Sequence, residues 1–394
     1  MSALIPVLRP KLPESDAILP YLKQIDTNRW YGNFGPLVLA FEKRLEEAFG
    51  AAEDQVTMVA NGTLGLTVAL QALEVTRGSL CLMPSWTFTA TPAAALAAGL
   101  TPVFADVDAA TQTLTPERAK EAIKKLGKPV GMVLPVSPFG APVDVSEWDR
   151  FTEETGIPVV IDAAAAFDSF MNGAIKIGRT PVMISLHATK ICGIGEGGLV
   201  LTQSHDISFR IRKIINFGFE DDRLSHRIAI NAKPSEYSAA VGMAVLDSWQ
   251  EIRAGWARVQ QYYIDHLGKA GIECWMHPKW VTSSCNIILP DIAPTISKTL
   301  RESGVDTRRW WETGCHAHPA YRACEVAEEL TATQHLGQSM LGIPGAMDMT
   351  EATLASVCER LVDAVNEHGG KIGRVSDREL LQAVDASDIK RNKA

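Results

Sequence analysis

Lys190 stands where a lysine can be made reactive. Val182-Met183-Ile184 leads into Ser185-Leu186-His187-Ala188-Thr189-Lys190, and Ile191-Cys192 is followed by Gly193-Ile194-Gly195-Glu196-Gly197-Gly198. Leu199-Val200-Leu201 then reads as another short strand. Glycines permit positive φ and close backbone approach, so a lysine between these strands can be held in one place. In a partly desolvated pocket its pKa falls, and it attacks a carbonyl as the free amine. Taken alone, a lysine is more often a solvated surface charge.

A second stretch lies upstream. Pro158-Val159-Val160-Ile161 has the pattern of a buried strand and ends in Asp162, followed by Ala163 to Ala166. A carboxylate at the carboxyl end of a parallel strand sits where open α/β sheets bind ligands. Small alanines after it leave room for a flat ring. The competing role for such an aspartate is a helix N-cap. A lysine for an aldehyde and a carboxylate for a pyridinium nitrogen are the two protein groups that pyridoxal phosphate (PLP) needs.

Asp162-Ala163-Ala164, the Ser185 to Lys190 stretch and the glycine loop together resemble the StrS/DegT family of PLP-dependent sugar aminotransferases, over about residues 15–365. The resemblance implies the aspartate-aminotransferase fold. That is an α/β chain with a mostly parallel large-domain sheet, helices on both its faces, and a smaller α+β C-terminal domain. It implies Lys190 as Schiff-base lysine and general base, and Asp162 as partner of the ring nitrogen. Gly62, Thr63, Ser185 and Asn231 would surround the cofactor phosphate, and Trp86 would stack on the ring. In the family the asparagine matching Asn231 reaches the phosphate of the neighbouring subunit, which implies a homodimer with shared active sites. Pyridoxamine phosphate would be the intermediate form of the cofactor.

Composition narrows the class. The chain has 394 residues, 46% hydrophobic and 21% charged, with a formal net charge of −8. That is an ordinary soluble globular balance, and with no long basic run it points away from nucleic acid. The 7 cysteines are scattered, odd in number and without CxxC spacing, which argues against a disulfide framework or a zinc knuckle. Met1 to Pro13 has no apolar core of signal-peptide length, and no stretch of about 18 apolar residues occurs, so neither a leader nor a membrane span is expected. The expected compartment is the cytoplasm.

The elements that must position Lys190 and Asp162 follow in chain order. Arg29 to Pro36 is a loop with two glycines and three aromatics, expected as a packed turn or a lip over the active site. Leu37, Phe41, Leu45 and Phe49 recur at a helical spacing. Val56 to Ala60 reads as a strand, and Asn61-Gly62-Thr63 opens a helix from Leu64 to Leu73. Free N–H groups at a helix start bind anions. Further strands are expected at Ser79 to Met83 and Met132 to Val136, and Thr101 to Asp108 resembles the family's strand ending in Asp-Val-Asp, an alternation with helices typical of a parallel sheet. A helix from about Ser238 to Leu267 would lead into the second domain. We place the large cofactor-binding domain with its N-terminal segment at 1–245, and the small C-terminal domain with a polar tail at 246–394.

Three positions depart from the family. Ala165 stands where a glutamine or histidine is common, Lys233 replaces an arginine, and the loop from Trp310 to Pro319 is altered. Ala165 and the altered loop bear on the substrate more than on the cofactor. His316-Ala317-His318 alone is too little for a metal site. The reading that results is an aminotransferase moving an amino group from glutamate to a keto-sugar, nucleotide-linked. The alternatives are a sugar dehydratase, in which the family replaces the lysine with histidine, and a non-enzymatic PLP-binding regulator.

Overall fold

Short runs of Val, Ile, Leu and Met build the sheet that carries the site. The structure is a computed structural model and describes residues 4–220 and 222–368. Its strands are β1 (Val56–Val59), β2 (Leu80–Pro84), β3 (Thr101–Ala105), β4 (Val130–Val133), β5 (Ile161–Asp162), β6 (Val182–Ser185), β7 (Gly198–Leu201), β8 (Glu273–Cys274), β9 (Cys285–Ile288), β10 (Glu325–Val326) and β11 (Met340–Ile343). The order β10-β3-β2-β4 is parallel throughout. Parallel bridges Val133↔Val159 and Val136↔Asp162 join it to the order β5-β6-β7-β1. There β5 and β6 are parallel, while β7 runs antiparallel to both β6 and β1. The expected mostly parallel sheet is present, with β7 as its antiparallel strand.

Both faces of this sheet are apolar, because successive side chains of a strand point to opposite faces. Val182 and Ile184 of β6 and Leu199 and Leu201 of β7 join one buried cluster with Phe41 and Leu45 of the helix Pro36–Phe49. Met183 and Val200 join the other, with Leu66 and Ala69 of the helix Gly62–Ala72. Continuous apolar strands covered by helices on both sides are the signature of a buried parallel sheet.

The predicted helix after Ser238 is two helices, Glu236–Asp247 and Trp249–Lys269, meeting at Ser248. In the second, Trp249, Ile252 and Trp256 pack in the main core, whereas Val259, Tyr263 and Leu267 pack in a separate one. This helix therefore runs from one core into the other. The second core covers the antiparallel sheet β11-β9-β8 with the helices Ala293–Glu302 and Glu351–His368. Ile5 and Leu8 bridge to Val305 and Gly345 of this part, so the N-terminal segment pairs with the C-terminal unit. The polar tail expected beyond it lies outside the described residues.

Candidate active site

Two adjacent parallel strands bring the two chemical groups to one edge. Asp162 closes β5 and pairs in register with Met183, two residues before Ser185 at the end of β6. Past the strand ends, the Ser185 N–H donates to the Ala164 carbonyl at 3.2 Å. The loop to Lys190 is then folded back on the glycine segment. Leu186 N donates to Gly197 O at 2.9 Å, Ala188 N to Gly195 O at 2.8 Å, and Lys190 N to His187 O at 2.8 Å. A Cβ on Gly193 would stand 2.6 Å from the Ala188 carbonyl oxygen, so only glycine allows this closeness. Gly195, at φ +96°, makes the turn.

The Lys190 side chain lies deep in the protein yet keeps some access to solvent. Desolvation pushes its pKa below the ordinary lysine value, and the Asp162 charge works in the opposite direction. Among the described residues no hydrogen bond or ion pair holds its amine. Asp162 is 4% exposed. Its carboxylate accepts from Thr91 Oγ1 at 2.8 Å and from Ala164 N at 3.1 Å. Burial pushes the carboxyl pKa up, while these two hydrogen bonds and the Lys190 charge pull it down. A buried acid and a desolvated amine that each feel the other's charge single out a candidate functional site.

The anion cup sits beside them. The helix Gly62–Ala72 starts with Asn61 as its cap, whose side chain accepts from Leu64 N at 2.9 Å. Gly62 and Thr63 N–H groups, one residue nearer the start, have no backbone acceptor among the described residues. A Cβ on Gly62 would meet Ser185 Oγ at 3.3 Å, so glycine lets the helix start approach that hydroxyl. Gly198 of β7, paired with both Ser185 and Val59, packs on the Asn61–Gly62 peptide. Gly62 and exposed Thr63 thus bring backbone donors to a helix start that lies against Ser185. Asn231 is exposed and bridges to Asn216; its neighbour Ala232 accepts from Ala60 N at 2.8 Å, close to the cup.

Trp86 does not present a face to this site. Its indole is 1% exposed, donates to Gln112 Oε1 at 3.2 Å, and meets Trp311 edge-on at 5.0 Å. Trp311 in turn stacks on Phe139 at 4.3 Å. Its ring packs with core aromatics, Trp311 and Phe139 among them. Phe88, two residues on, is 59% exposed. Its carbonyl accepts from Thr91 N at 3.1 Å, beside the contact to Asp162. Sequence reasoning missed both Phe88 and Thr91. The Thr87 and Thr91 spacing of one helical turn was the available signal, and their hydroxyls lie 2.6 Å apart.

Other departures also have a place. A Cβ on Gly140, at φ +93°, would come within 2.6 Å of the Ala165 carbonyl oxygen. The Pro138–Gly140 turn thus closes on the alanines after Asp162. The altered loop is clamped over the residues near Phe88. His316 Nδ1 shares a 2.7 Å hydrogen bond with Ser85 Oγ, and Tyr321 Oη lies 3.0 Å from Thr89 Oγ1. A larger cleft of about 850 Å³, lined by Asp106, Arg118, Glu328 and His335 among others, shares no residue with the site. Its buried carboxylate Glu328 is already paired with Lys125. No group of His, Cys, Asp and Glu suited to a metal occurs among the described residues.

These residues fit PLP. A buried carboxylate, a desolvated amine and an open donor cup lie at one sheet edge, with Ala164 and Ala165 partly exposed between them. Comparison with known proteins agrees. The profile described as the DegT/DnrJ/EryC1/StrS aminotransferase family matches residues 14–362. A dTDP-4-amino-4,6-dideoxy-D-glucose transaminase of Shigella dysenteriae is 32% identical over 263 residues, covering 66% of this chain and 70% of that one. A Bacillus cereus ATCC 10987 protein, assigned as a PLP-dependent aminotransferase, superposes with a TM-score of 0.84 at 30% identity, over 91% of this chain and 99% of that one. DesI, solved with its TDP-sugar product, superposes with a TM-score of 0.80 at 26% identity, over 99% and 96%.

Proposed function

The chain belongs to the DegT/DnrJ/EryC1/StrS aminotransferase family, and on that premise we propose that it moves an amino group from glutamate to a nucleotide-linked keto-sugar. The observation that carries the reading is the meeting of Lys190, Asp162 and the Gly62–Ser185 cup at one sheet edge. A nucleotide-linked acceptor draws support from the names of two relatives, the Shigella dTDP-sugar transaminase and DesI.

PLP supplies an aldehyde for amine exchange and a ring that accepts electrons while its nitrogen is protonated. Asp162 holds that proton, since a buried carboxylate favours a cation set against it. Gly62, Thr63 and Ser185 bind the phosphate through N–H and hydroxyl donors at a helix start. Lys190 would hold the aldehyde carbon and would move the proton at the donor Cα, as a desolvated amine can act as a base near neutral pH. Phe88, exposed beside Thr91 where Trp86 is buried, would be the ring that stacks on the cofactor. In a homodimer Asn231 completes the phosphate site of the neighbour, with Lys233 beside it. We place the reaction in the cytoplasm, on the sequence evidence of scattered cysteines; among the described residues no helix is long and apolar enough to cross a membrane.

Purified protein is expected to be yellow, and glutamate to bleach the band. A screen of keto-sugar nucleotides with labelled glutamate then identifies the acceptor. Absence of any cofactor band after reconstitution with PLP sinks the reading.

A further inference from the structure

The short helix Phe167–Met171 follows directly on the alanines after Asp162 and carries a buried acid that the chemistry above does not use. Asp168 is 0% exposed. Its two oxygens accept from parts of the chain far away in sequence. Oδ1 accepts from Arg253 Nε at 2.7 Å, on the helix Trp249–Lys269. Oδ2 accepts from Val281 N at 2.8 Å, in the connection between β8 and β9, and from Asn172 Nδ2 at 3.3 Å. The same Asn172 amide donates to Lys279 O at 2.7 Å, in that connection too. A carboxylate leaves water at great cost unless it is paired and hydrogen-bonded. Asp168 has both, and the two oxygens hold two separate elements against one helix.

The helix is joined to the site by a chain of printed contacts. Ser169 Oγ donates to Gly140 O at 3.0 Å, and Gly140 in turn lies against the Ala165 carbonyl. The turn that leads into the helix is closed by Ala166 N, which donates to Ala163 O at 2.9 Å. Inside that turn Ala164 N donates to Asp162 Oδ1 at 3.1 Å, and Ala164 O accepts from Ser185 N at 3.2 Å. One alanine peptide unit on each side thus orients the Asp162 carboxylate and ties it to the end of β6. Only Ala165, Ala166 and Phe167 separate Ala164 from Asp168. Phe167 is itself wedged edge-on against Trp249 at 4.9 Å. A displacement of the helix therefore reaches Ala164 with little slack. A buried ion pair is weak evidence for stability, since apolar residues often serve as well; what it supplies here is direction, through two oxygens with two different partners.

We infer that Asp168 is a positioning residue for transamination. Held by Arg253 and Val281, it fixes the turn Ala163 to Ala166, and through the Ala164 N–H it fixes the direction of the Asp162 carboxylate. This role rests on the one proposed for Asp162, and it adds what keeps that carboxylate aimed. It also makes the seating of the β8–β9 connection on the helix Phe167–Met171 a condition for activity.

Asp168→Asn keeps the volume but offers a single acceptor oxygen where two are in use. The PLP-loaded protein is followed by amide exchange of the peptide spanning Ala163 to Ala166 and by the rate at which glutamate bleaches the yellow band. Below its melting temperature the variant is expected to exchange that peptide about tenfold faster and to bleach about tenfold more slowly, the weight of one hydrogen bond to a charged group. The half-saturating glutamate concentration is expected to stay as in the wild type. Arg253→Lys keeps the cation and should lie between the wild type and Arg253→Met in both readouts. An Asp168→Asn protein that melts lower yet exchanges this peptide and bleaches as the wild type does makes Asp168 a structural tie only, and the proposal is rejected. If Asp168→Asn does not fold, Arg253→Met, changed at a partly exposed position, decides by the same two readouts, and wild-type behaviour in both rejects the proposal. Failure of glutamate to bleach the wild type counts against the proposed donor instead, and amide exchange then decides the role of Asp168 alone.

Discussion

Thr91 Oγ1 donates a 2.8 Å hydrogen bond to Asp162 Oδ2, and both residues are buried. Thr91 Oγ1 is itself 2.6 Å from Thr87 Oγ1, so the carboxylate is steadied from the start of the helix Ala90–Ala97. Thr91→Val keeps the shape and removes the donor. A hydrogen bond to a charged group contributes about 1.5–3 kcal/mol, and its loss pushes the Asp162 pKa further up. The variant is expected to fold, to bind PLP more weakly, and to lose turnover by about one order of magnitude or more, from that same range of energies. Turnover equal to wild type would show that the Thr91 contact does not tune the carboxylate.

Asp162→Asn tests the carboxylate itself. Asn cannot keep a proton on the ring nitrogen, so the ring no longer accepts electrons from the donor Cα. Cofactor should still bind, through the Gly62–Ser185 cup, but most turnover should be lost, since a transition-state interaction has been removed. Near-normal transamination by this variant would refute the assignment.

Phe88 and Trp86 separate cofactor binding from stability. Trp86 is 1% exposed, and Trp86→Ala should cost about 3–5 kcal/mol of stability, as for other buried large-to-small changes. Phe88 is 59% exposed, so Phe88→Ala should change stability by no more than about 0.5 kcal/mol. It should instead loosen PLP, because aromatic stacking adds about 0.5–1.5 kcal/mol. Thermal melts and PLP titration of both variants give the two numbers. A Phe88→Ala protein that binds PLP as tightly as wild type removes the stacking role from this residue.

The pH response of Lys190 follows from its burial. Desolvation lowers its pKa and the Asp162 charge raises it. Cofactor-free protein should therefore take up PLP with a midpoint below the ordinary lysine value of 10.5. Between the two values the unfolded chain binds the extra proton, so the Lys190 contribution to stability rises with pH across that window. Removing the opposing charge with Asp162→Asn should move the uptake midpoint lower still. A midpoint that moved upward would contradict the electrostatic coupling.

The sequence carried this much because the essential groups sit on short, strongly patterned strands. Asp162 ends β5 and Ser185 ends β6, and the apolar runs before them could only be buried strands. The glycines after Lys190 announced a tight loop, and Gly193 and Gly195 do meet steric demands there. Trp86 and Phe88 lie two apart in the turn after β2, one buried and the other exposed, and residue type does not tell core from cleft. The pairing of the N-terminal segment with the far end of the chain, Ile5 with Val305 and Leu8 with Gly345, was likewise invisible. It is a contact between remote, unpatterned stretches. So was the break at Ser248, since the helical periodicity continues on both sides of it.

Lys190 decides the mechanism. Its backbone is fixed by the hydrogen bond to His187 O, and its loop by the contacts of Ala188 with Gly193 and Gly195. Its amine feels the Asp162 charge, which works against the desolvation of the amine. On the proposed reading Asp162 would hold the ring nitrogen of the cofactor, Lys190 its aldehyde carbon, and Gly62, Thr63 and Ser185 its phosphate. Lys190→Ala removes the nucleophile and the base together. It leaves the cup and the Asp162 contact in place. The variant should thus still bind PLP, without a covalent link, and transamination should fall by several orders of magnitude. Lys190→Arg should behave alike, because a guanidinium remains protonated. Borohydride should fix the cofactor to the wild-type chain at Lys190 and leave both variants unlabelled. Peptide mapping that finds the reduced adduct on another lysine, Lys233 included, would overturn the site and the roles given to Asp162 and the cup with it.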